Sequence, residues 1–414
     1  MKILVLNCGS SSVKYKLFKL NGAAADPLAE GKVERVAVAA HGEQDLDYKP
    51  AGGEKVEKKV DGATHKDAIA RVFEMLVDPE VGVLKEISEI GAVGHRVVHG
   101  GEKVADPVLV DEALIKIIEE YFSLSPLHNP ANLQGIRAAR ELLPGVPQSA
   151  IFDTAFHARM PERAWRYALP DEYYEKYGIR RYGFHGTSHR YVAMQAMELL
   201  EELGVPARES KLITVHLGNG GSVAAVKGGV SLDTSMGTTP VEGLIMGTRC
   251  GDIDPAIPPF IMQKTGMSPA EFDTVMNKKS GLLALTGGYT DMRDILDLAA
   301  EGNERCELAL DMFCYRARKY IGSYVAALGG LDAVVFTGGI GENSGYIRAR
   351  ICEGLEYLGL EIDPVLNEQR GQRIVSKAGT RARILAIPTN EELMIALDTQ
   401  GLIEKAAPSA QVVS

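Results

Sequence analysis

The sequence has no long hydrophobic run and no excess of positive charge. None of its apolar stretches approaches the ~18 residues that a membrane span requires, and residues 3–6 are too short a run for a signal peptide. The 45 Lys and Arg residues are outnumbered by 55 Asp and Glu residues, which gives a formal net charge of -10. Because nucleic-acid binding needs a basic surface, the sequence predicts a protein that binds neither nucleic acid nor membrane and is cytoplasmic.

Cysteine is also scarce. The chain has five cysteines, and no two of them form a C-x-x-C pair: Cys8, Cys250, Cys306, Cys314 and Cys352. An odd number of scattered cysteines is typical of reduced thiols in a reducing compartment. It disfavours a disulfide framework and a structural zinc site.

Glycine, in contrast, is abundant, with 44 residues, and a strand–turn–strand pattern that contains it occurs twice. Residues 1–6 and 13–20 predict two strands joined by a Gly-Ser-Ser-Ser turn, and residues 212–217 and 223–226 repeat the plan around Gly-Asn-Gly-Gly-Ser. Two copies about half a chain apart predict two related lobes. Strands elsewhere alternate with segments of helical periodicity, which predicts an α/β fold.

Apolar residues at helical spacing predict helices at 64–77, 111–121, 131–143, 188–203, 305–328 and 391–405, and another that begins near Ser344 and runs through 358. Asn129 and Pro130 are predicted as the N-cap and first residue of the helix at 131–143. The polar segment 42–62 is interpreted as a surface excursion without chemistry, and the tail 406–414 as frayed.

Three glycine-rich turns follow predicted strands, at residues 9–12, 218–222 and 337–344. None completes G-x-x-x-x-G-K-[ST] or G-x-G-x-x-G, so a P-loop NTPase and a Rossmann dehydrogenase are disfavoured. A single turn of this kind is more often structural. Three at strand ends favour a site where backbone N–H groups surround phosphates, because ligands of α/β proteins bind at the carboxyl ends of strands.

Basic residues stand beside small ones at Lys14, Arg96 and Arg249. Small neighbours let a ligand approach the planar guanidinium fork, which suits carboxylate and phosphate oxygens. The alternative for each arginine is a surface ion pair.

Histidines form two i, i+4 pairs, His95 with His99 and His185 with His189. Neither pair has the glutamate of H-E-x-x-H, so a catalytic zinc is disfavoured. His128 and His157 are either hydrogen-bond donors to a ligand or core histidines, and the sequence leaves both alternatives open.

Two carboxylates follow strand-like runs, Asp153 after residues 149–152 and Glu391 after residues 384–388. Mg²⁺ takes one or two protein carboxylates and fills its remaining positions with phosphate and water oxygens. Both residues are therefore candidates for a magnesium site, with helix capping as the alternative.

Taken together, the motifs resemble the acetate kinase family, part of the actin and sugar-kinase superfamily. The resemblance covers nearly the whole chain. Its most specific parts are RYGFHGTSH at 181–189 and DTSMGTTPVEGLIMGTRCGDIDP from Asp233. The other matching segments are 7–14, 95–101, 125–130, 152–157, 216–222, 291–293, 337–343 and 389–392.

The resemblance implies an α/β fold of two related lobes, of actin/sugar-kinase (ribonuclease H-like) type, with an interlobe cleft. Residues 1–153 would form the N-terminal lobe, joined by the C-terminal helix 394–414, and residues 154–393 the C-terminal nucleotide-binding lobe. It also implies Mg²⁺ as cofactor (with Mn²⁺ as a substitute), ATP/ADP as co-substrate, acetate and acetyl phosphate as the reacting pair, and a homodimer.

The residue roles carried over from the resemblance fall into four groups. The catalytic residues are Asp153, Arg96, Arg249 and His185. The magnesium ligands are Asn7 and Glu391. The substrate-binding residues are Arg96, Val98, Leu127, His128, Phe184 and Pro240. The nucleotide-binding residues are Lys14, His216, Leu217, Gly218, Asn219, Gly220, Asp291, Met292, Arg293, Gly339, Ile340, Gly341, Glu342 and Asn343.

The residue types fit the implied reaction. Acetate is already a nucleophile at neutral pH, so catalysis is mostly alignment and charge neutralisation, and Asp153 is better placed as an orienting or magnesium residue than as a general base. Two alternatives stay open: a propionate or other short-chain acyl kinase, since one methylene discriminates by only ~1–3 kcal/mol, and an actin-like or chaperone-like ATPase.

Overall fold

The computed structural model describes residues 1–22, 24–37, 42–371 and 373–406. The chain divides into two compact units. Unit 1 comprises Met1–Ala158 and Asn390–Ser414, and unit 2 comprises Arg159–Thr389. Of the C-terminal helix predicted at 394–414, residues 407–414 lie outside the described residues, as does nearly all of the tail predicted as frayed.

The strands, in chain order, are β1 Lys2–Cys8, β2 Ser12–Asn21, β3 Ala24–Glu34, β4 Glu43–Pro50, β5 Val56–Asp61, β6 Ile90–Val97, β7 Val108–Leu109, β8 Gln148–Phe152, β9 Lys211–Leu217, β10 Gly221–Lys227, β11 Val230–Thr234, β12 Ala333–Thr337 and β13 Arg383–Ala386.

The α-helices are α1 His65–Leu76, α2 Glu112–Glu120, α3 Asn129–Leu142, α4 Glu162–Trp165, α5 Asp171–Tyr177, α6 Gly186–Glu202, α7 Ile257–Thr265, α8 Pro269–Lys278, α9 Gly281–Thr286, α10 Met292–Ala300, α11 Glu304–Leu328, α12 Gly338–Asn343, α13 Gly345–Cys352, α14 Pro364–Glu368 and α15 Glu391–Ala406. Within the described residues, no helix is both long and apolar enough to cross a membrane.

The two sheets share one topology. In unit 1 the strand order is β5-β4-β3-β2-β1-β6-β8-β7, and in unit 2 it is β11-β10-β9-β12-β13. In each unit the first strand (β1 or β9) pairs antiparallel with the second (β2 or β10). The first strand also pairs parallel with a strand that follows a helical crossover (β6 or β12). That third strand pairs parallel with one more (β8 or β13). The α/β class and the repeat predicted from the two strand–turn–strand segments are confirmed.

The unit 1 sheet is covered on both faces because its central strands are apolar at consecutive positions. Leu4 and Leu6 of β1 belong to the core cluster that contains Ile69 of α1 and Ala138 of α3. Alternate β1 residues belong to a second cluster with Ile395 of α15. Successive side chains of a strand point to opposite faces, so α15 covers the face opposite α1 and α3.

In unit 2 the 25-residue helix α11 contributes more buried residues to the core than any other element. Its residues Leu310, Phe313 and Ile321 are buried in one cluster with Ile213 and Val215 of β9. The apolar residues of α11 recur at helical spacing, which is why the sequence predicts this helix within one residue of its observed start.

Segment 42–62, predicted as a surface excursion, instead contains the strands β4 and β5, which extend the edge of the unit 1 sheet. Gln44, Leu46 and Tyr48 are buried while the residues between them are partly exposed. This period-2 alternation marks a strand, but the charged residues between them conceal it.

Two helix boundaries also differ from the prediction. The helix predicted to run through 358 ends at Cys352, close to Gly354, whose φ of 78° is left-handed and cannot continue a helix. Helix α3 has His128 as its N-cap, with Asn129 as its first residue and Pro130 next. The prediction of Asn129 as N-cap is wrong because its side chain is buried and serves another segment, described below.

Candidate active site

In unit 1, the ends of two parallel neighbours bring Arg96 and Asp153 together. Arg96 is next to the last residue of β6, and Asp153 directly follows β8, where its N–H donates to the Val97 carbonyl at 3.0 Å. The Arg96 guanidinium donates from Nε to Asp153 Oδ1 at 3.0 Å and from Nη2 to Oδ2 at 2.6 Å. Asp153 is 1% exposed, so this bidentate pair is almost wholly shielded on the carboxylate side.

Asn7 and Glu391, together with Asp153, surround the guanidinium of Arg96. Arg96 Nη1 donates to Asn7 Oδ1 at 3.3 Å, and Arg96 Nε lies 3.8 Å from Glu391 Oε2. Asn7 is near the end of β1, which pairs with β6, and Glu391 is the first residue of α15. These residues come from three separate parts of the sequence, and the fold of unit 1 places them around one cation.

Electrostatically this group carries more negative than positive charge. Burial, with Asp153 and Glu392 nearby, raises the pKa of Glu391 to about 7 although Arg96 and Lys14 oppose the shift. Burial disfavours the charged form of Arg96, but Asp153 and Glu391 more than offset this, so its pKa is raised. A divalent cation would relieve the excess of carboxylates, and oxygen ligands of the kind supplied by Asn7 and Glu391 are those that Mg²⁺ prefers.

Two buried asparagines of α3 hold the loop after β6. Asn132 Oδ1 accepts from Val98 N–H at 3.1 Å, and its Nδ2 donates to the Cys8 carbonyl at 2.6 Å. Asn129 makes a reciprocal pair with the backbone of His99, at 3.1 and 2.9 Å. Since the tie to Cys8 joins this loop to the end of β1, these asparagines fix the positions of Asn7 and Arg96. No motif in the sequence predicts this role for Asn132.

The remaining predicted unit 1 residues differ in exposure. Val98 is buried, while Leu127 is 57% exposed and His128 is partly exposed. Lys14 is exposed on β2, directly opposite Asn7 in the β1–β2 pair, and lines a cavity of about 370 Å³ with Glu392 and other charged residues.

In unit 2, the RYGFHGTSH segment forms the start of α6. His185 is its N-cap residue and has a left-handed φ of 57°, which is rare for a residue with a side chain. Its Nδ1 lies 2.9 Å from Ser222 Oγ, and its ring stacks on that of His216 with centroids 4.4 Å apart. His216 Nδ1 in turn lies 2.8 Å from Ser188 Oγ. The His185 ring is thus held at its edge by the Ser222 hydroxyl and on one face by the His216 ring.

Arg249 lies beside His185. A β-carbon added to Gly220 would lie 3.3 Å from Arg249 Nη1 and 3.4 Å from His185 Nε2, so both groups border the space that this glycine leaves open. Arg249 Nη1 also donates to the Pro240 carbonyl at 3.3 Å. Burial lowers the pKa of Arg249, and among the described residues no carboxylate forms an ion pair with it. A half-buried cation in this state favours an anionic ligand.

The loop that carries Arg249 is held by a second arginine, which the sequence analysis did not single out. Arg181 Nη1 donates to the carbonyls of Thr234, Ser235 and Met236 at 2.9 to 3.1 Å, and its Nη2 pairs with Glu242. Arg181 begins the same segment that presents His185. One partly buried guanidinium therefore ties the His185 segment to the loop of Arg249.

The predicted nucleotide segments meet at a cleft of about 760 Å³ in unit 2. Its lining includes the predicted residues Gly218, Asn219, Asp291, Met292, Arg293, Gly339, Ile340 and Asn343. The volume is in the range of small-molecule sites. The Asn219 carbonyl accepts from Gly247 N–H at 3.0 Å, which joins the lining to the loop of Arg249.

The other predicted nucleotide residues of unit 2 have different surroundings in the described part of the chain. Leu217 is fully buried in the core, Gly341 is buried in α12, and His216 stacks on His185. The Glu342 carboxylate is used internally: its Oε1 accepts from the N–H groups of Gly338 and Thr389, both at 3.0 Å. Phe184 is buried and Pro240 partly exposed.

His157 and His95 pack as core residues. His157 is fully buried with its ring edge-on to Phe156, and His95 lies 2.7 Å from Gln148 Oε1. Within the described residues, no group of three or more His, Cys, Asp or Glu side chains is arranged to hold a metal ion.

A profile of the acetokinase family matches residues 2–397. The chain belongs to the acetokinase family. It is 53% identical over 405 residues to an acetate kinase of Methanosarcina thermophila, covering 98% of this chain and 97% of that one. The family predicted from the motifs is confirmed, and with it the enzyme class, a kinase.

Solved structures agree with this family assignment. The acetate kinase of Porphyromonas gingivalis superimposes with a TM-score of 0.92 at 46% identity, covering 97% of this chain and 99% of that one. A propionate kinase of Francisella tularensis superimposes with a TM-score of 0.88 at 42% identity, with the same coverage. The family therefore includes relatives named for two different short-chain acids.

Proposed function

We propose that this acetokinase transfers the γ-phosphoryl group of ATP to acetate, giving acetyl phosphate and ADP, and that it catalyses the reverse transfer. The observation that carries the proposal is the state of Arg249. Its guanidinium is buried enough to lower its pKa, has no carboxylate ion pair within the described chain, and borders the open space at Gly220 beside His185 Nε2. Such a group is suited to bind the charge of a phosphoryl group in transfer.

In the transfer, a carboxylate oxygen of acetate forms a bond to the γ-phosphorus while the bond from that phosphorus to the bridging β–γ oxygen breaks. The electron pair of the broken bond stays with ADP. No proton has to leave the nucleophile, so the reaction needs no general base. Arg249 would neutralise charge on the equatorial oxygens, an effect worth ~10³-fold or more for a well-placed arginine, and His185 would stabilise them by a hydrogen bond.

In unit 1, we assign Arg96 to the acetate carboxylate and Asp153 to its orientation. Asp153 already makes a bidentate pair with Arg96, which fixes the plane of the guanidinium. Asn7 and Glu391 would hold Mg²⁺, with Mn²⁺ as a substitute. The metal, when bound, neutralises phosphate charge. The interlobe cleft implied by the family resemblance stays a prediction.

In unit 2, we assign the nucleotide to the cleft lined by Gly218, Asn219, Asp291, Gly339 and neighbouring residues. Glycines allow the backbone to approach phosphates closely, and the backbone N–H groups of these turns are the expected donors. Glu342 supports this site indirectly, because its carboxylate binds backbone N–H groups of the chain itself.

Propionate is the second candidate acceptor, since the Francisella relative of similar fold is named a propionate kinase. Val98, Leu127, Phe184 and Pro240 are the proposed acyl pocket. A pocket closed by side chains of this size favours a two-carbon acid, but a single methylene changes binding by only ~1–3 kcal/mol.

The test is a survey of formate, acetate, propionate and butyrate with ATP and Mg²⁺, with acyl phosphate trapped by hydroxylamine. We expect kcat/KM to be highest for acetate. A maximum at propionate would show that propionate, not acetate, is the preferred acceptor. ATP turnover that does not depend on any acid would support the ATPase alternative. Omitting Mg²⁺ and adding EDTA should abolish product.

We further propose that the protein is a cytoplasmic homodimer. All five cysteines are free thiols, and Cys8, Cys306, Cys314 and Cys352 are buried, as suits a reducing compartment. Sedimentation of the purified chain tests the dimer directly, and a monomer at micromolar concentration would contradict it.

A further inference from the structure

Four side chains of unit 2 form a continuous hydrogen-bonded chain that ends at His185. Thr214 Oγ1 lies 2.7 Å from His189 Nδ1, and His189 Nε2 lies 2.7 Å from Ser222 Oγ. Ser222 Oγ lies 2.9 Å from His185 Nδ1. Thr214, His189 and Ser222 are fully buried, and only His185 is partly exposed. The first three residues have no place in the proposed chemistry, so the chain needs a separate explanation.

The direction of these bonds follows from counting hydrogens. Each of the three contacts needs one hydrogen, and each hydroxyl and each neutral imidazole supplies one. Neutral His189 has one hydrogen, so it accepts from one hydroxyl and donates to the other. In the described part of the chain the buried Ser222 hydroxyl bonds only to the two histidines, so its hydrogen goes to whichever of them does not donate to it. Either Thr214 donates to His189, His189 to Ser222 and Ser222 to His185, or every donation is reversed.

Thr214 decides between the two senses. In the described part of the chain, His189 Nδ1 is the only hydrogen-bond partner of its hydroxyl, among backbone and side-chain groups alike. If Thr214 accepted from His189, its own hydroxyl hydrogen would be buried without an acceptor, and a buried unsatisfied donor is costly. Donation from Thr214 avoids this cost. It leaves Nδ1 of His185 accepting from Ser222.

We propose that Ser222, supported by His189 and Thr214, is a positioning residue that fixes neutral His185 in the tautomer with its hydrogen on Nε2. The inference rests on the proposed function, because it makes His185 a hydrogen-bond donor toward the phosphoryl group without requiring an imidazolium. The Nε2 atom is the one that borders the open space at Gly220.

Two further features restrict the orientation of the His185 ring. The stack on His216 fixes the ring plane, and the left-handed backbone at His185 directs the side chain away from the ordinary helical course. Within unit 2, His216 of β9 stacks on the ring, Arg249 borders the same open space at Gly220, and His189 of α6 is linked to the ring through Ser222. Arg249 already supplies a positive charge beside this space, so the role left to His185 is that of a hydrogen-bond donor.

The hydrogen-bonded chain from Thr214 through His189 and Ser222 to His185, called the relay below, has a kinetic consequence. An unperturbed histidine titrates near pH ~6.5. If the Nε2 hydrogen is present on the neutral ring, kcat should not fall as pH rises from 7 to 9. Without the relay, neutral His185 could adopt the other tautomer, and activity would depend on the imidazolium, which is lost over this range.

The experiment combines a direct measurement of the tautomer with kinetics. In protein labelled with ¹⁵N-histidine, long-range ¹H–¹⁵N correlation at pH 8.5 reports which nitrogen of each ring is protonated, and a His185→Gln variant assigns the signals. We expect His185 to carry its hydrogen on Nε2. A hydrogen on Nδ1 in the unaltered protein overturns the proposal, whatever the variants do.

For kinetics, Ser222→Ala should lower kcat by about 10–100-fold at pH 8.5 and make kcat decline above pH 7, with KM for acetate changed less than about twofold. Thr214→Val should act in the same direction and Thr214→Ser should restore activity. Thr234→Val is the matched control, because it removes a buried strand hydroxyl that donates to the Val223 carbonyl.

The outcomes separate the relay from the proposed function. A Ser222→Ala protein with the unaltered kcat and a flat pH profile overturns the relay. If Ser222→Ala does not fold, Thr214→Val and the spectrum of the unaltered protein decide. If no acid is phosphorylated but His185 carries its hydrogen on Nε2, the function fails and the structural assignment stands.

Discussion

At the scale of single residues, Arg96 of unit 1 and Arg249 of unit 2 are in opposite electrostatic states. Arg96 is bound by Asp153 and lies near Glu391, whereas Arg249 bonds to a backbone carbonyl and has no carboxylate ion pair in the described residues. The two are equivalent in sequence, since each is an arginine among glycines. Only their surroundings separate an oriented, neutralised arginine from one that is ready to bind an anion.

We expect Arg249→Ala to lower kcat by about 10³-fold or more while the affinity for ATP stays nearly unchanged, because the lost interaction forms with the phosphoryl group in transfer. Steady-state kinetics and ATP titration would measure the two quantities. Arg208→Ala, at an exposed position of the same unit, is the control and should have little effect. Weaker ATP binding with unaltered kcat would remove Arg249 from this role.

His95 gives a prediction about acid stability. It is buried, which lowers its pKa from 6.5 to about 4, against a hydrogen bond with Gln148. The unfolded chain therefore binds a proton between these values that the folded chain does not, so stability falls as pH falls. At pH 5 the loss from this residue is about 2 kcal/mol.

His95→Gln should remove that part of the pH dependence. Urea unfolding of both proteins at pH 7.5 and pH 5 would show a loss about 2 kcal/mol smaller in the variant. Between pH 7.5 and 8.5 the difference between the two proteins should be constant. An equal loss in both on acidification would mean that His95 does not contribute.

At the scale of elements, the turns after strands carry the site because parallel neighbours end at the same edge of a sheet. Glu342 shows how two such ends are held in unit 2. Its carboxylate joins Gly338, which follows β12, to Thr389, which follows β13. The chain passes from unit 2 to unit 1 directly after Thr389, two residues before Glu391. This bond therefore fixes the last residue before the crossover.

Glu342→Ala should raise KM for ATP severalfold and destabilise the protein by about 1–3 kcal/mol, because two backbone N–H groups lose their acceptor. Glu342→Gln keeps an acceptor oxygen in place and should be close to the unaltered protein in both respects. Kinetics and denaturant unfolding of both variants test whether the Glu342 oxygen acts as the acceptor for these two N–H groups. If the two variants behave alike, the charge of Glu342 and not its two accepted hydrogen bonds explains the effect.

At the scale of the whole molecule, the proposed nucleotide cleft belongs to unit 2 and the proposed magnesium ligands to unit 1. Ligand that binds only the folded protein stabilises it by mass action. At 100 times its Kd, MgADP should add ~2.7 kcal/mol to the free energy of unfolding.

Thermal unfolding with MgADP, and with ADP plus EDTA, would measure this effect. We expect a clear rise in Tm with MgADP and a smaller one without the metal. Glu391→Gln should reduce the difference between the two conditions. An equal rise with and without metal would remove Glu391 from the metal site.

The sequence by itself determined the repeated strand–turn–strand plan, the long helices and the identity of most chemical groups, because periodicity and glycine placement are local properties. It did not find the hairpin of β4 and β5, whose alternation is concealed by charge, or the buried role of Asn129. The relay of Thr214, His189 and Ser222 could not be found either, since β9, β10 and α6 place these side chains together only when they pack. Hydrogen-bond direction, electrostatic state and the lack of a carboxylate partner for Arg249 within the described residues depend on which distant groups are within a few ångströms, and only the tertiary structure decides that.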